Sequence, residues 1–382
     1  MYLRKLTFRE NEGKKVEWLI DDVQLGKINL IVGQNSSGKT RTLNAVTEMV
    51  DMLKGSGNIP KFHGKYKASF MKDEQEVQLE FEYDKGIIQK EALVWKGEKV
   101  LERREDGSGW INYMGGNEKI ALEFGIAENQ MACYAKRDKL QHPFLEDLHL
   151  WAVNMRRFNF SGNLGKNSYT LKGVFEEEEI DFSDTRASLV PELYLGIEKF
   201  KGFRQRLLTD MNEIGYQLED VGIVRYSDKS RRTEQDRYAV YTTEAGLEKQ
   251  VTQNDMSQGM FRAFSVLARL NLYIHDGKTG CIVIDDIGEG LDFSRAKLLV
   301  NLLVKKAEKS DIQLIMSTND SFIMNSVAIE NWAVMYRDGN KISLYNYENS
   351  KEIFEEFKFT GLNNFDFYAS EFFKTGFKEK ED

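Results

Sequence analysis

The sequence predicts an α/β fold organised around a phosphate-binding loop, and three observations carry that expectation. Gly33-Gln34-Asn35-Ser36-Ser37-Gly38-Lys39-Thr40 fills the pattern G-x-x-x-x-G-K-[ST]. The run Ile28-Asn29-Leu30-Ile31-Val32 before it reads as a short buried strand, and Leu43, Val46, Val50 and Leu53 follow at helical spacing until Gly55 closes the helix. Far downstream, Cys281-Ile282-Val283-Ile284 is a second apolar run, and it ends in two carboxylates, Asp285 and Asp286.

Strand, glycine loop and helix N-terminus make an anion cradle, because free backbone N–H groups and the positive helix end face the phosphates. The expected contacts are Gly33, Gln34, Asn35, Ser36, Ser37, Gly38, Lys39, Thr40 and the adjoining Arg41. Lys39 would reach the β- and γ-phosphates, and the Thr40 hydroxyl would complete a magnesium site. A glycine-rich structural turn is the plain alternative.

A chain of 382 residues is long for one core, so two lobes assembled from discontinuous segments are expected. A net charge of −8 argues against a generally basic nucleic-acid binder. Local basic stripes stay open at Arg103 with Arg104, Arg156 with Arg157, and Lys229 with Arg231 and Arg232, where solvated surface is the alternative. No apolar run has the length of a membrane span, and Met1 to Leu6 lack the apolar stretch of a secretory signal. A cytoplasmic protein with no membrane partner is the expectation. Cys281 reads as a buried reduced thiol.

Residues 1–160 are expected to form an N-terminal lobe with the phosphate loop and a β meander. Val77 to Tyr83 alternates apolar and polar residues, and Ile87 to Leu101 holds two similar runs. Residues 161–249 are expected to be a helical insertion. There Leu193, Ile197, Phe200, Leu207, Met211, Ile214 and Leu218 suggest one long helix or a helix pair, weakened by Gly196, Gly202 and Gly215. The run Glu176 to Glu179 reads as a solvated edge, with an acidic metal site as the alternative. Residues 250–382 return to α/β: helices over about 259–274 and 294–309, strands at 281–284 and 312–316, and a β-rich end around 332–347.

Two further segments complete the chemistry. In Asp255-Met256-Ser257-Gln258-Gly259 a serine and glycine open a helix, which caps it and also offers a hydroxyl and helix dipole to a second phosphate. Ser317-Thr318-Asn319-Asp320 follows the strand ending at Met316, where Asn319 can donate to a γ-phosphate or merely end the strand in a turn. Asp285 is expected to emerge from its strand to hold magnesium through water, with Asp286 acting on the attacking water.

The order phosphate loop, Ser-x-Gly helix, acidic strand resembles that of ABC-class P-loop ATPase heads. Within them it resembles the AAA/ABC-type ATPases of the overcoming-lysogenization-defect (OLD), RecF and SMC-like group, and there the compact ATPases of phage-defence systems such as PARIS and Septu. The resemblance covers residues 1–55 and 250–320 and leaves the middle unmatched. It implies ATP as substrate, Mg2+ as cofactor, and a homodimer or higher homo-oligomer in which Ser257, Gln258 and Gly259 act in trans on the partner's ATP. It also implies a loop role for Asp292 after the acidic strand and a switch role for Asn319. The group usually has Glu where Asp286 stands and His where Asn319 stands, so slow hydrolysis is expected. Gln130 and Gln141 are candidates for its glutamine loop without positional support.

No Toprim-like acidic strands, His-Asn-His cluster or guanine-reading Asn-Lys-x-Asp follows, so an effector would be a separate polypeptide. The leading expectation is an ATPase whose ATP-driven dimerisation gates a nuclease-like effector in phage defence. A RecF-like repair or clamp ATPase that grips DNA is the alternative, and a transporter motor is a third reading.

Overall fold

The computed structural model describes residues 1–114, 120–171, 184–226 and 237–377. The chain divides into two compact units. Unit 1 comprises Met1–Met155, Thr279–Cys281 and Ala328–Asp382, and unit 2 comprises Arg156–Lys278 and Ile282–Val327.

The first elements are β1 (Tyr2–Glu10), β2 (Trp18–Gln24), β3 (Ile28–Val32) and α1 (Lys39–Lys54). Val32 passes directly into the glycine loop. One face of α1 buries Leu43, Val46, Met49, Val50 and Leu53, the stripe expected of its period. Gly55 stops the helix at φ 71°, a left-handed position, and its N–H returns to the Met52 carbonyl at 3.1 Å. A side chain there would also meet the Tyr134 ring.

The meander follows as β4 (Gly64–Lys72), β5 (Gln75–Asp84), β6 (Ile87–Trp95), β7 (Glu98–Arg103), β8 (Ser108–Tyr113) and β9 (Ile120–Gly125). In β5, Val77, Leu79, Phe81 and Tyr83 are buried while Gln78 and Glu80 are exposed, so the period-2 pattern maps onto the two faces of a sheet. Helices α2 (Ala132–Ala135) and α3 (Pro143–Asn154) close this part of unit 1.

Unit 2 begins with β10 (Arg156–Asn159) and β11 (Thr170–Leu171), then α4 (Val190–Lys199) and α5 (Phe203–Glu213). The helical stripe is therefore a pair, broken at Gly202 with φ 81°. Leu218 does not continue it, because it opens β12 (Leu218–Tyr226), which is followed by β13 (Arg237–Glu244) and β14 (Gln250–Thr252). The stretch expected to be helical thus ends in strands. The β-branched and aromatic residues Val221, Ile223, Val224, Val240, Tyr241 and Thr242 favour that outcome. These strands form a small sheet in the order β11-β13-β12, with β14 on β13.

Next come α6 (Gln258–His275), β15 (Gly280–Asp285), α7 (Phe293–Glu308), β16 (Ile312–Thr318) and α8 (Ser321–Met324). Every residue of β15 and β16 is buried, as parallel-type core strands require. β10 pairs with β15 in parallel, setting Arg157 opposite Val283 and Asn159 opposite Asp285. Unit 1 resumes with β17 (Trp332–Asp338), β18 (Lys341–Asn346), α9 (Lys351–Lys358), α10 (Asn364–Ala369) and α11 (Phe372–Thr375). Its sheet is large and mixed, in the order β3-β17-β18-β2-β1-β4-β5-β6-β7-β8-β9, with β17 parallel to β3 and β18 parallel to β2.

Among the described residues no helix is long and apolar enough to cross a membrane. Cys133 and Cys281 are free and buried, and burial pushes both thiols up. The Glu176–Glu179 run and the Lys229, Arg231 and Arg232 cluster lie outside the described residues.

Candidate functional site

In unit 1 the phosphate loop hangs between β3 and α1. Gly33 is buried, and a Cβ there would press on the Ser37 hydroxyl and the Met335 carbonyl. Ser36 holds φ 64° and Gly38 φ 105°, which turns the loop tightly enough to bring the chain back to the helix start. A non-glycine residue in that region costs about 1 kcal/mol, a strain typical of binding loops. Lys39 is only 6% exposed, and its Nζ donates to the carbonyls of Gly33 (2.7 Å) and Gln34 (2.9 Å). The ammonium is thereby fixed in the loop mouth. Gln34, Asn35, Ser36 and Thr40 are exposed, while Ser37 is buried with its hydroxyl unpaired. The first turn of α1 carries no acidic residue and no side-chain cap, so its positive end stays uncompensated. Such a loop suits an anion. Arg41 is half-buried, pairs with Glu10 at 2.5 Å and stands 4.1 Å over the Trp18 ring.

In unit 2 the two aspartates at the end of β15 share one hydroxyl. Ser317 Oγ donates to Asp285 Oδ1 (2.6 Å) and accepts the Asp286 N–H (2.9 Å). Arg157 Nη2 reaches Asp285 Oδ2 at 3.3 Å, and Ser161 Oγ donates to Asp286 Oδ2 at 3.2 Å. Asp285 is 1% exposed, and these bonds satisfy polar atoms that burial takes from water. Asp286 sits at φ 54°, a conformation that Asp and Asn tolerate better than longer residues, and it is half-buried. The chain therefore turns its second carboxylate away from the strand direction while the first remains buried.

The start of α6 is bound to the loop after β15. Ser257 is exposed and its hydroxyl accepts the Met260 N–H at 3.1 Å, a helix cap worth about 1 kcal/mol. Gly259 faces the Gly290 carbonyl so closely that no side chain fits. Arg262 donates to the Glu289 carbonyl (2.7 Å) and the Gly162 carbonyl (3.2 Å), and Gln258 to the Gly162 carbonyl (3.4 Å). Asp292 is exposed and caps α7 by accepting the Arg295 N–H at 3.0 Å, a bond that holds its carboxyl below the usual range. Ser257, Gln258 and Gly259 thus open a helix that Arg262 ties to the loop running on to Asp292. Asn319 is exposed on the turn after β16, where Asp320 caps α8 through the Phe322 N–H at 2.7 Å.

Two of the basic clusters are not surface stripes. Arg103 is 1% exposed and donates to the carbonyls of Ile88 and Glu128, leaving Arg104 alone exposed in that pair, and Arg156 is 6% exposed. Arg157 pairs with Asp285. Sequence reading found no role for Ser161 and Ser317, and read Arg157 as surface. The doublet Arg156-Arg157 just before Phe158 was the available signal, since two charges opening a short strand need partners inside the fold. Gln130 and Gln141 are both exposed and touch none of the residues above in any hydrogen bond described here.

Known structures share this architecture. The crystal structure of an SmcHead bound to the C-winged helix domain of ScpA is similar over 92% of this chain and 100% of its own, with a TM-score of 0.53 and 14% identity. An Smc head domain with an extended coiled coil, bound to the C-terminal domain of ScpA derived from Pyrococcus furiosus, is similar over 94% of this chain and 99% of its own, with a TM-score of 0.50 and 13% identity. At these identities the likeness is one of fold. No curated protein matches the sequence. A family model described as "AAA domain, putative AbiEii toxin, Type IV TA system" matches residues 28–325, a span running from the first residue of β3 to just beyond α8 and including the phosphate loop, the start of α6, the acidic strand and Asn319. The chain belongs to this family of AAA domains.

Proposed function

We propose that the protein is an ATP-binding, slowly hydrolysing subunit whose ATP-driven self-association gates a separate effector, a nuclease-like protein in phage defence. The observation that carries this reading is the rigid coupling of the Ser257 helix start to the loop that leads out of the acidic strand, through Gly259 on Gly290 and Arg262 on Glu289. A phosphate met by Ser257 would act on the same block that holds Asp285 and Asp286. In this reading the finer kinship is with the OLD-like, PARIS and Septu type, and the working division is an N-terminal lobe 1–160, an insertion 161–249 and a C-terminal lobe 250–382.

Lys39 and the N–H groups of residues 34–41 hold the phosphates. Thr40 and Asp285 supply oxygen ligands, the donor chemistry that suits Mg2+. No group of three or more His, Cys, Asp or Glu that could hold a metal stands together among the described residues. When bound, that ion neutralises charge developing on the phosphates. Asp286 accepts the proton of the attacking water, and Asn319 donates to the terminal phosphate. Ser257 of a second copy meets the same phosphate. The exposed rings of Phe293 and Phe322, each 60% exposed with centroids 5.4 Å apart beside Asp292, provide apolar contact for that copy. The DNA-clamp alternative is no better supported, since Arg103, Arg156 and Arg157 are committed inside the fold.

Trans action is tested at Ser257 rather than Gly259, because any side chain at Gly259 would displace the Gly290 loop within its own subunit. Ser257→Arg should leave nucleotide binding intact and abolish turnover, and Lys39→Ala should also be inactive. Mixing the two should restore about a quarter of wild-type turnover, the share of intact composite sites expected from random pairing in an isologous dimer. Heterodimers that form and stay inactive would refute the shared site.

A further inference from the structure

The hairpin of β17 and β18 carries an arginine whose charge the described residues do not offset. Arg337 is exposed, and no carboxylate pairs with it among the described residues. Its guanidinium is nonetheless held in place. Nε donates to the Gly339 carbonyl at 2.7 Å, Nη1 donates to the Ser36 carbonyl of the phosphate loop at 3.2 Å, and the group stands 4.5 Å over the Trp18 ring. Arg41, over the same ring, is neutralised by Glu10, whereas Arg337 is not. A guanidinium has five N–H donors, and these two bonds use only two of them.

Its surroundings fit an anion. Arg337 lines a crevice of about 340 Å³ together with Gln34, Asn35, Ser36 and Ser37 of the phosphate loop and with Glu371, whose carboxylate is paired with Lys374. The crevice lies past the carboxyl end of β3, beside the last residues of the parallel strand β17, and open α/β sheets bind ligands at such strand ends. The direction of a bound triphosphate follows from Lys39. A phosphate-loop lysine reaches the β- and γ-phosphates, and this ammonium is seated at the carbonyls of Gly33 and Gln34. The terminal phosphate therefore comes to the Gln34–Ser36 side of the loop, the side Arg337 holds.

We propose that Arg337 is a second cationic ligand of the nucleotide, contacting its terminal phosphate and so distinguishing ATP from ADP. The inference rests on the phosphate-loop reading above and adds to it a residue from the far end of the chain. A planar fork anchored by two carbonyls and an aromatic face is already oriented, so little side-chain entropy is lost when it meets a phosphate.

Equilibrium binding of Mg-ATP and Mg-ADP to the full-length protein tests it, with Lys39→Ala in parallel. Arg337→Ala should weaken Mg-ATP about tenfold and leave Mg-ADP within about twofold. Arg337→Lys should recover part of the loss, because the charge returns without the fork. Equal affinity of wild type and Arg337→Ala for Mg-ATP would overturn the proposal. So would an equal loss for ATP and ADP, which would make Arg337 only a support for the loop. Wild-type binding that survives Lys39→Ala would instead overturn the phosphate-loop reading, and this inference with it.

Discussion

Lys39→Ala should abolish nearly all of the stabilisation that Mg-ATP gives the wild-type protein. A ligand present at about a hundred times its dissociation constant stabilises the state that binds it by about 2.7 kcal/mol. With an unfolding entropy of roughly 2.1 cal/mol/K per residue, that corresponds to a rise of about 3 °C in melting temperature for a chain of 382 residues. The effect should be specific to nucleotide. Lys39 is buried in the loop mouth, where it donates to the backbone carbonyls of Gly33 and Gln34. The two carbonyls that truncation leaves are neutral groups, so the ligand-free variant should still fold cooperatively. What disappears is the charge-assisted donor to the phosphates. Differential scanning fluorimetry with and without Mg-ATP measures the shift in each protein. A wild-type melting temperature unmoved by saturating Mg-ATP would remove the basis of the functional reading.

How much of this was legible in the sequence depends on the range of the interaction. Local periodicity placed β3, the glycine loop and α1, because each of these is decided by neighbours within a few residues. The alternation of Val77, Leu79, Phe81 and Tyr83 placed β5 and its buried face for the same reason. The apolar run of β15, and that of β16 interrupted only by Gln313, announced buried strands, and Gly196, Gly202 and Gly215 weakened the case for one long helix, which breaks at Gly202. Pairings across long stretches of chain were not legible. Arg157 and Asp285 are 128 residues apart, and Arg337 and Ser36 are 301 apart. A four-residue strand such as β10 has no period to read, so its arginines looked like surface. Ser317 was read only as part of a strand end, since nothing in its neighbourhood reveals that its hydroxyl joins two aspartates. The strands that finish the insertion were missed because the helical stripe from Leu193 appeared to run on into Leu218, where β-branched residues take over.

Asp286→Asn should slow ATP cleavage by at least a hundredfold while leaving ATP affinity within a few-fold of wild type. Asparagine keeps the shape of the side chain and accepts the φ of 54° even more readily, so folding is not at issue. It cannot take a proton from water, and the Ser161 hydroxyl now meets an amide in place of a carboxylate. ATP should then remain bound and uncleaved. Asp286→Glu separates reach from chemistry. Aspartate is one methylene shorter than glutamate, a deficit of about one C–C bond or ~1.5 Å, and misplacing a catalytic group by about 1 Å can cost on the order of a hundredfold in rate. If reach limits the wild type, the glutamate variant should turn over faster, although a longer side chain pays more strain at a left-handed position. Ser317→Ala provides the control. It removes the hydroxyl that donates to Asp285 and accepts the Asp286 N–H, so it should lower the rate while both aspartates remain in the chain. Single-turnover rates with radiolabelled ATP distinguish these cases. Fast wild-type cleavage that survives Asp286→Asn would show that another group activates the water, and the assignment of Asp286 would fall.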